Sequence, residues 1–330
     1  MSDPIVQAKG LHKSFTYQKR SKGLRSWLKA DYATIEAVKK IDLTINPGET
    51  VAFVGPNGAG KSTTIKMLSG ILAPTGGHIR VCGLDPLKQR RELSYKIGCV
   101  FGQRSQLLPN LPLRDSLELF GKMYDLDQAT IDKRIEELSD IFALHSTIEQ
   151  PVRQLSLGQR MRGEIAASLM HKPTIVFLDE PTIGLDVVAK RSLRETLNNL
   201  NKSEGTTIFL TSHDTGDIEA LAERTIVIDH GTIIVDESTD HLRKKFLNKK
   251  HLQIDFATKP EKHALADVEI RIQGNTLNAT IDMTKHDINE VLHALLKLGI
   301  VEDIQIQEES LEEVILSIYE STGKKDESAQ

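Results

Sequence analysis

"TVAFVGPNGAGKST", residues 50–63, decides the fold. Five strand-favouring residues run into a glycine-rich turn, and the turn closes on Lys61 and Ser62 at the head of an apolar-periodic helical stretch. Gly55, Gly60, Lys61 and Ser62 satisfy the G-x-x-x-x-G-K-[ST] pattern, with Pro56, Asn57, Gly58, Ala59 and Thr63 completing the loop. Glycines let successive backbone N–H groups turn inward, and the helix start adds about half a positive charge, so the loop is suited to cradling phosphates. Lys61 supplies those phosphates with a full charge, and Ser62 offers a hydroxyl to Mg²⁺.

Such a loop needs an acidic partner at the end of a neighbouring strand. "TIVFLDE", residues 174–180, carries Asp179 to the C-terminal edge of a strand, where ligands bind in open parallel sheets. Asp179 is expected in the Mg²⁺ shell with Ser62, and Glu180 is expected to polarise the attacking water as general base. Two more strands end on polar residues. Gln103 follows "KIGCVFG" and is placed for the metal or the water; His213 follows "TTIFLTS" and is placed for the phosphate oxygens. A lone Gln or His after a strand is ordinarily a loop residue, so both gain their weight from company.

A second phosphate-suited stretch, "RQLSLGQRMR", lies at 153–162. Its "LSLGQ" (Leu155, Ser156, Leu157, Gly158, Gln159) precedes a helix, so Ser156 and the exposed N–H groups of the helix start form an anion site of their own. Together, "GPNGAGKST", Gln103, "LSLGQ", "IVFLDE", "GLD" at 184–186 and His213, in this order and spacing, resemble the ATP-binding cassette of ABC transporters over about residues 4–235.

The resemblance implies an α/β P-loop NTPase cassette with a mixed-sheet core and a helical signature subdomain at about 105–172. It implies ATP as ligand and substrate, Mg²⁺ as cofactor, and a signature that closes head to tail over the nucleotide on a second copy, with Asp186 at the same interface. It further implies a separately encoded transmembrane permease docking near Gln103 and "RSQLLPNLPLRDS", which places the chain on the cytoplasmic face of a cell membrane. The forms "VFGQRSQL", "EPTIGLDVVAK" and "SLEEVILSIYE" resemble the ABC-2 class, mostly bacterial exporters. The rival is a soluble ABC ATPase acting on ribosomes or DNA. Those carry two cassettes or a long coiled-coil insertion, and this sequence has one uninterrupted cassette, so no nucleic-acid partner is expected. Two positions depart from the family pattern: Leu157 stands where the signature usually has Gly, and the adenine-stacking aromatic, usually Tyr, is Phe15 with Tyr17 as alternate. Core packing is the competing assignment for Phe15.

Composition agrees with a soluble globular chain: among 330 residues, 42 Lys and Arg face 46 Asp and Glu, and 39% are hydrophobic. That balance gives no global charge argument for nucleic acid. Cys82 and Cys99 sit in apolar stretches and read as small core residues in a reducing compartment. The start "MSDPIVQAKG" lacks the pattern of a secretory signal, and the apolar runs fall far short of the ~20 residues a bilayer needs. Residues 18–30, "QKRSKGLRSWLKA", hold five basic residues and the only tryptophan; they read as a solvated loop, or else as a surface meeting lipid headgroups.

Strands are expected at Ile5 to Ala8, Thr34 to Ile45, Thr50 to Val54, His78 to Cys82, Ile97 to Phe101, Thr174 to Leu178, Thr206 to Leu210, Thr225 to Asp229 and Thr232 to Val235, with helices between. The cassette is expected over 1–236, followed by a linker at 237–250. A small C-terminal α+β accessory domain is expected over 251–320, and a disordered tail over 321–330. In the accessory domain a helix from Asp287 to Leu298 is followed by a last helix that opens at Ser310 and Glu313 with capping-box spacing.

Overall fold

The computed structural model describes residues 3–19, 31–102, 105–246, 249–261, 265, 268–308, 311–316 and 318–319. Gln103, most of the basic 18–30 stretch, Ser310 and the 321–330 tail lie outside the described residues. The chain divides into two compact units, one up to Glu237 and one from Ser238.

In the first unit β3 (Thr50–Val54) is buried at every position, as a strand covered on both faces must be. It lies inside a six-stranded sheet with β5 (Ile97–Phe101), β6 (Ile175–Asp179), β7 (Thr207–Ser212), β8 (Arg224–Asp229) and β9 (Thr232–Ser238), in the order β5-β6-β7-β3-β8-β9. The pairs β5/β6, β6/β7, β3/β7 and β3/β8 are parallel. Register sets Phe101 beside Asp179, Asp179 beside Thr211, and Val54 beside Ser212, so the C-terminal strand ends that carry polar residues line up along one edge. Phe53, Phe177 and Phe209 fill the layer behind that edge, their rings 5.4 and 5.8 Å apart in sequence along the sheet. Burying each contributes roughly 1.5–3 kcal/mol, which holds the edge rigid.

A three-stranded antiparallel sheet, β2-β1-β4, completes the mixed core: β1 (Val6–Lys19), β2 (Asp31–Ile45) and β4 (Gly76–Val81). Here the sequence reading falls short, since the first strand runs to Lys19 and not to Ala8. Register shifts at Ala8/Leu11, Leu11/Lys13 and Lys13/Ser14 absorb the irregularity. Gly10, at φ 57°, breaks the alternation that would have revealed one long strand.

Helix α1 (Lys61–Leu68) follows β3, and α2 (Arg90–Ser94) precedes β5. The helical part contains α3 (Leu113–Met123), α4 (Gln128–Phe142) and α5 (Leu157–Ser168); α6 (Val187–Glu204) and α7 (Thr215–Leu221) return to the sheet. Buried Leu113, Leu117, Ile131, Ile135, Leu138 and Ile165 give α3 to α5 their shared core. Arg134, 2% exposed, ties α4 to its neighbours. It donates to Leu169 O at 3.2 and 3.1 Å and grips Glu204 at the end of α6 at 2.6 and 3.0 Å.

His171 sits behind this joint. Its ring stacks on Tyr124 at 3.7 Å and its Nε2 lies 3.0 Å from Ile97 O. Burial, reinforced by the Arg134 charge, pushes the imidazole down to about 4. Because the folded state then takes the proton less readily than the unfolded one, its contribution is full above the ordinary His value and lost as pH falls towards 4. At pH 5 the linkage is about 2 kcal/mol. Urea midpoints measured at pH 7.5 and 5 are therefore expected to fall further for the natural chain than for His171→Phe, which keeps the stacking face but cannot titrate. Equal falls would contradict it.

The second unit holds an antiparallel sheet in the order β11-β12-β10-β13: β10 (Lys249–Phe256), β11 (Glu269–Gln273), β12 (Thr276–Asp282) and β13 (Val301–Glu308). Helix α9 (Ile288–Leu296) presents Val291 and Leu295 to a core of Leu252, Ile254, Leu277 and Ile281. The span expected as a linker differs. It holds helix α8 (Thr239–Phe246) and the first residues of β10. Ser238 Oγ accepts from His241 N at 3.2 Å at the helix start, and Leu242 is fully buried.

Candidate active site

The loop between β3 and α1 takes its shape from two close approaches. A Cβ on Gly55 would lie 2.4 Å from Ile228 O, and one on Gly60, at φ 111°, would lie 2.5 Å from Ala37 O. Gly60 caps α1 without a side chain, so the first N–H groups of the helix face outward unspent. Ala59, buried, holds the loop down by accepting from Gly231 N at 3.0 Å.

A cleft of about 440 Å³ opens beside it. Pro56, Asn57, Gly58, Gly60, Lys61, Ser62 and Thr63 line one wall; Asp179, Glu180, His213, Gly102, Ile183 and Ala37 line the rest. Lys61, 6% exposed, donates from Nζ to Gly55 O at 2.5 Å and lies 3.5 Å from Glu180 Oε1. Ser62 Oγ donates to Asp179 Oδ1 at 3.1 Å, and Thr211 Oγ1 donates to the same oxygen at 2.7 Å. Glu180 sits in the left-handed region at φ 55°, held by N–H bonds to Thr211 O at 3.2 Å and Thr211 Oγ1 at 3.1 Å. His213 Nδ1 is 2.5 Å from Glu180 Oε2; with a carboxylate as partner, that nitrogen carries the hydrogen.

A hydroxyl and a carboxylate oxygen this close, both hard donors, fit Mg²⁺. Ser62 and Asp179 would hold it, and the ion would spread the phosphate charge.

Sequence reasoning passed over what stiffens this wall. Asp217 is fully buried and accepts from Thr182 Oγ1 at 2.5 Å, Ser212 Oγ at 2.7 Å and Arg194 Nε at 2.7 Å, so it ties the turn after Glu180 to the residue before His213. Asp214, next to His213, is bonded by Lys190 and Arg194. Burial opposes its ionisation, but the Lys190 hydrogen bond and the two cations outweigh burial and hold the carboxyl below its ordinary range. Thr211 and Asp217 belong to no pattern readable along the chain; the only available hint was the polar ending of an apolar strand.

The signature residues lie elsewhere in the unit. Ser156 caps α5 through a capping box: Ser156 Oγ accepts from Gln159 N at 3.3 Å and Gln159 Oε1 accepts from Ser156 N at 2.9 Å. The box uses an oxygen lone pair and leaves the hydroxyl hydrogen to be donated outward. Gly158 packs on α6, where an added Cβ would lie 2.9 Å from Ala189 Cβ. Asp186 caps α6 by accepting from Ala189 N at 2.8 Å. Leu157, Ile183, Val187 and Val188 are exposed here, the last two by 83% and 78%. Leu155 is buried beneath the turn.

Among the described residues, 155–159 and Asp186 line no part of the 440 Å³ cleft. Phe15 does not line it either. It stands on β1, 40% exposed, opposite Ile35 of β2, with Lys13 Nζ 5.1 Å from its ring centre; Tyr17 is 48% exposed two residues on. The two thiols, Cys82 and Cys99, are half-buried, and burial pushes them up to about 11 and about 12, so they remain protonated.

Residues 38–183 match the sequence family described as ABC transporter. The chain is 32% identical to the daunorubicin resistance ATP-binding protein DrrA3 of Streptomyces coeruleorubidus, over 87% of this chain and 92% of that one. It is 31% identical to the linearmycin resistance ATP-binding protein LnrL of Bacillus subtilis (strain 168), over 88% and 96%. Among solved structures it is similar to cbiO1 from Clostridium perfringens, part of an ABC transporter complex, at 27% identity and TM-score 0.63 over 74% of this chain and 92% of that one. It is also similar to the dimeric, ADP- and phosphate-bound post-hydrolysis cassette MJ0796, at 28% identity and TM-score 0.60, over 71% and 98%. With a phosphate loop, an acidic pair and a capped signature helix in one α/β unit, and with relatives of matching length, the chain belongs to the ATP-binding proteins of ABC transporters and is an ATPase.

Proposed function

We propose that this chain is the engine of an exporter of the ABC-2 class, acting as a homodimer beneath a separately encoded permease on the cytoplasmic face of a bacterial membrane. The observation that carries the shared-site part is the separation just described: the cleft is built without any of Leu155 to Gln159. A capped helix start with an outward hydroxyl, ringed by exposed Leu157, Val187 and Val188, suits a second chain, whose nucleotide it would cover. In each composite site Lys61 and the N–H groups of α1 would bind the phosphates from one side. Ser156 and Gly158 of the other copy would bind from the opposite side. Phe15 would offer its exposed face to adenine, and Gln103 would reach the metal or the water. ATP thereby becomes part of the interface, so binding favours closure and hydrolysis reverses it.

Export is supported by the relatives whose names record daunorubicin and linearmycin resistance. No described helix is long and apolar enough to cross a membrane, so the translocation path falls to the partner. The unit from Ser238 is assigned an accessory role. Affinity purification of the tagged chain from solubilised host membranes is expected to bring down one multi-span protein that raises ATP turnover. Recovery only with ribosomes, or alone from the soluble fraction, would overturn the reading.

A further inference from the structure

One buried carboxylate outside the cleft is committed to the loop that follows β5. Glu164, on α5 and 6% exposed, accepts from Ser105 Oγ and from Gln106 N, the latter at 3.1 Å to each oxygen. The loop is knitted to itself and to the sheet as well: Leu107 N donates to Ser105 Oγ at 3.3 Å, and Gln106 Nε2 donates to Cys99 O at 3.0 Å. Beside Glu164, Gly163 admits Leu113 and Leu107, whose methyls an added Cβ would meet at 2.8 and 3.3 Å. An apolar residue at 164 would serve this packing at least as well. A carboxylate here costs desolvation and is offset by its hydrogen bonds to the loop.

The loop so held begins two residues after Gln103, and α5 opens on Ser156. Eight residues separate Ser156 from Glu164, roughly 12 Å of helix, stiff enough to carry a displacement from one end to the other. A cavity of about 160 Å³, lined by Gly102, Ser105, Leu157 and Glu164, leaves room for that movement.

We propose that Glu164 is a positioning residue, a latch that makes the signature helix follow the loop after Gln103, so that events in the cleft set the pose of Ser156 and Gly158. The latch rests on the reading that this signature closes over a second copy.

Glu164→Leu fills the same space and removes both acceptors. In the full chain it is expected to lower kcat about tenfold or more, while Kd for MgATP stays within about twofold and the melting temperature within a few degrees. Glu164→Gln keeps an acceptor for the Gln106 N–H and is expected to recover most of the loss. Ser105→Ala removes one donor and leaves the Gln106 N–H on the carboxylate, so it is expected to slow turnover by a smaller factor, and adding it to Glu164→Leu should cost nothing more, because that bond is already gone. Should Glu164→Leu fail to fold, Glu164→Ala, which also removes both acceptors, takes its place in the same comparison.

A kcat within twofold of the natural chain for Glu164→Leu, or a further loss when Ser105→Ala is added to it, would overturn the latch. Light scattering with MgATP separates the two readings. If Glu180→Gln chains stay monomeric, the shared site fails. If they dimerise and added Glu164→Leu leaves that dimer equally tight, the latch fails.

Discussion

Glu180→Gln is expected to cut ATP turnover by about 10² to 10⁴, the usual worth of a positioned general base, while MgATP binds as before. The substitution removes one charge and little else. The backbone of Glu180 stays pinned by its bonds to Thr211 O and Oγ1, and its left-handed φ of 55° is no harder for Gln than for Glu. Lys61 loses a partner at 3.5 Å but keeps Gly55 O at 2.5 Å, so the phosphate-binding wall is preserved. What disappears is the carboxylate aligned by His213 Nδ1, which is placed in the cleft to accept a proton from water beside the phosphates. Binding and chemistry therefore separate, and closed dimers accumulate. Single-turnover hydrolysis and light scattering check the two halves: fast turnover by a dimeric Glu180→Gln protein would remove Glu180 from its assigned role.

Much of this wall is legible in the chain because strand and loop obey local rules. Thr50–Val54 and Ile97–Phe101 fall where apolar runs place them, and Gly55 and Gly60 announce backbone that a Cβ would obstruct. What escapes the sequence is made by distant partners. Thr211 bridges Asp179 and Glu180 because β6 and β7 pair in one register, and buried Asp217 draws together Thr182, Ser212 and Arg194 from three separate stretches. Nothing local to α4 announces that Arg134 is closed on by Glu204, seventy residues away. The same applies to Glu164, whose donors lie in a loop with no periodicity. β1 outruns its expected end at Ala8 for the opposite reason: Gly10 is a local signal for a break, and the bulged pairing with β2 overrides it.

The largest qualitative effect is expected from mixing two inactive chains. Lys61→Ala removes the buried ammonium that lies over its loop carbonyls and should abolish nucleotide binding in its own cleft. Ser156→Arg puts a bulky cation at the mouth of α5 and forfeits the cap. Losing the cap costs roughly 0.5–2 kcal/mol, which a domain stable by about 5–15 kcal/mol tolerates, so this chain should fold, bind ATP and fail to close. In a mixed dimer the two defects fall together in one site. The other site pairs an intact phosphate loop from the Ser156→Arg chain with an intact signature from the Lys61→Ala chain. With Glu180→Gln added to both to prevent turnover, each variant alone is expected to occlude no ATP, and purified mixed dimers one per dimer. If each site were complete within a single chain, mixing could restore nothing, because the Ser156→Arg chain would behave the same with or without its neighbour. Occlusion in Ser156→Arg alone, or none in the mixture, would therefore break the link between the 155–159 turn of one chain and the cleft of the next.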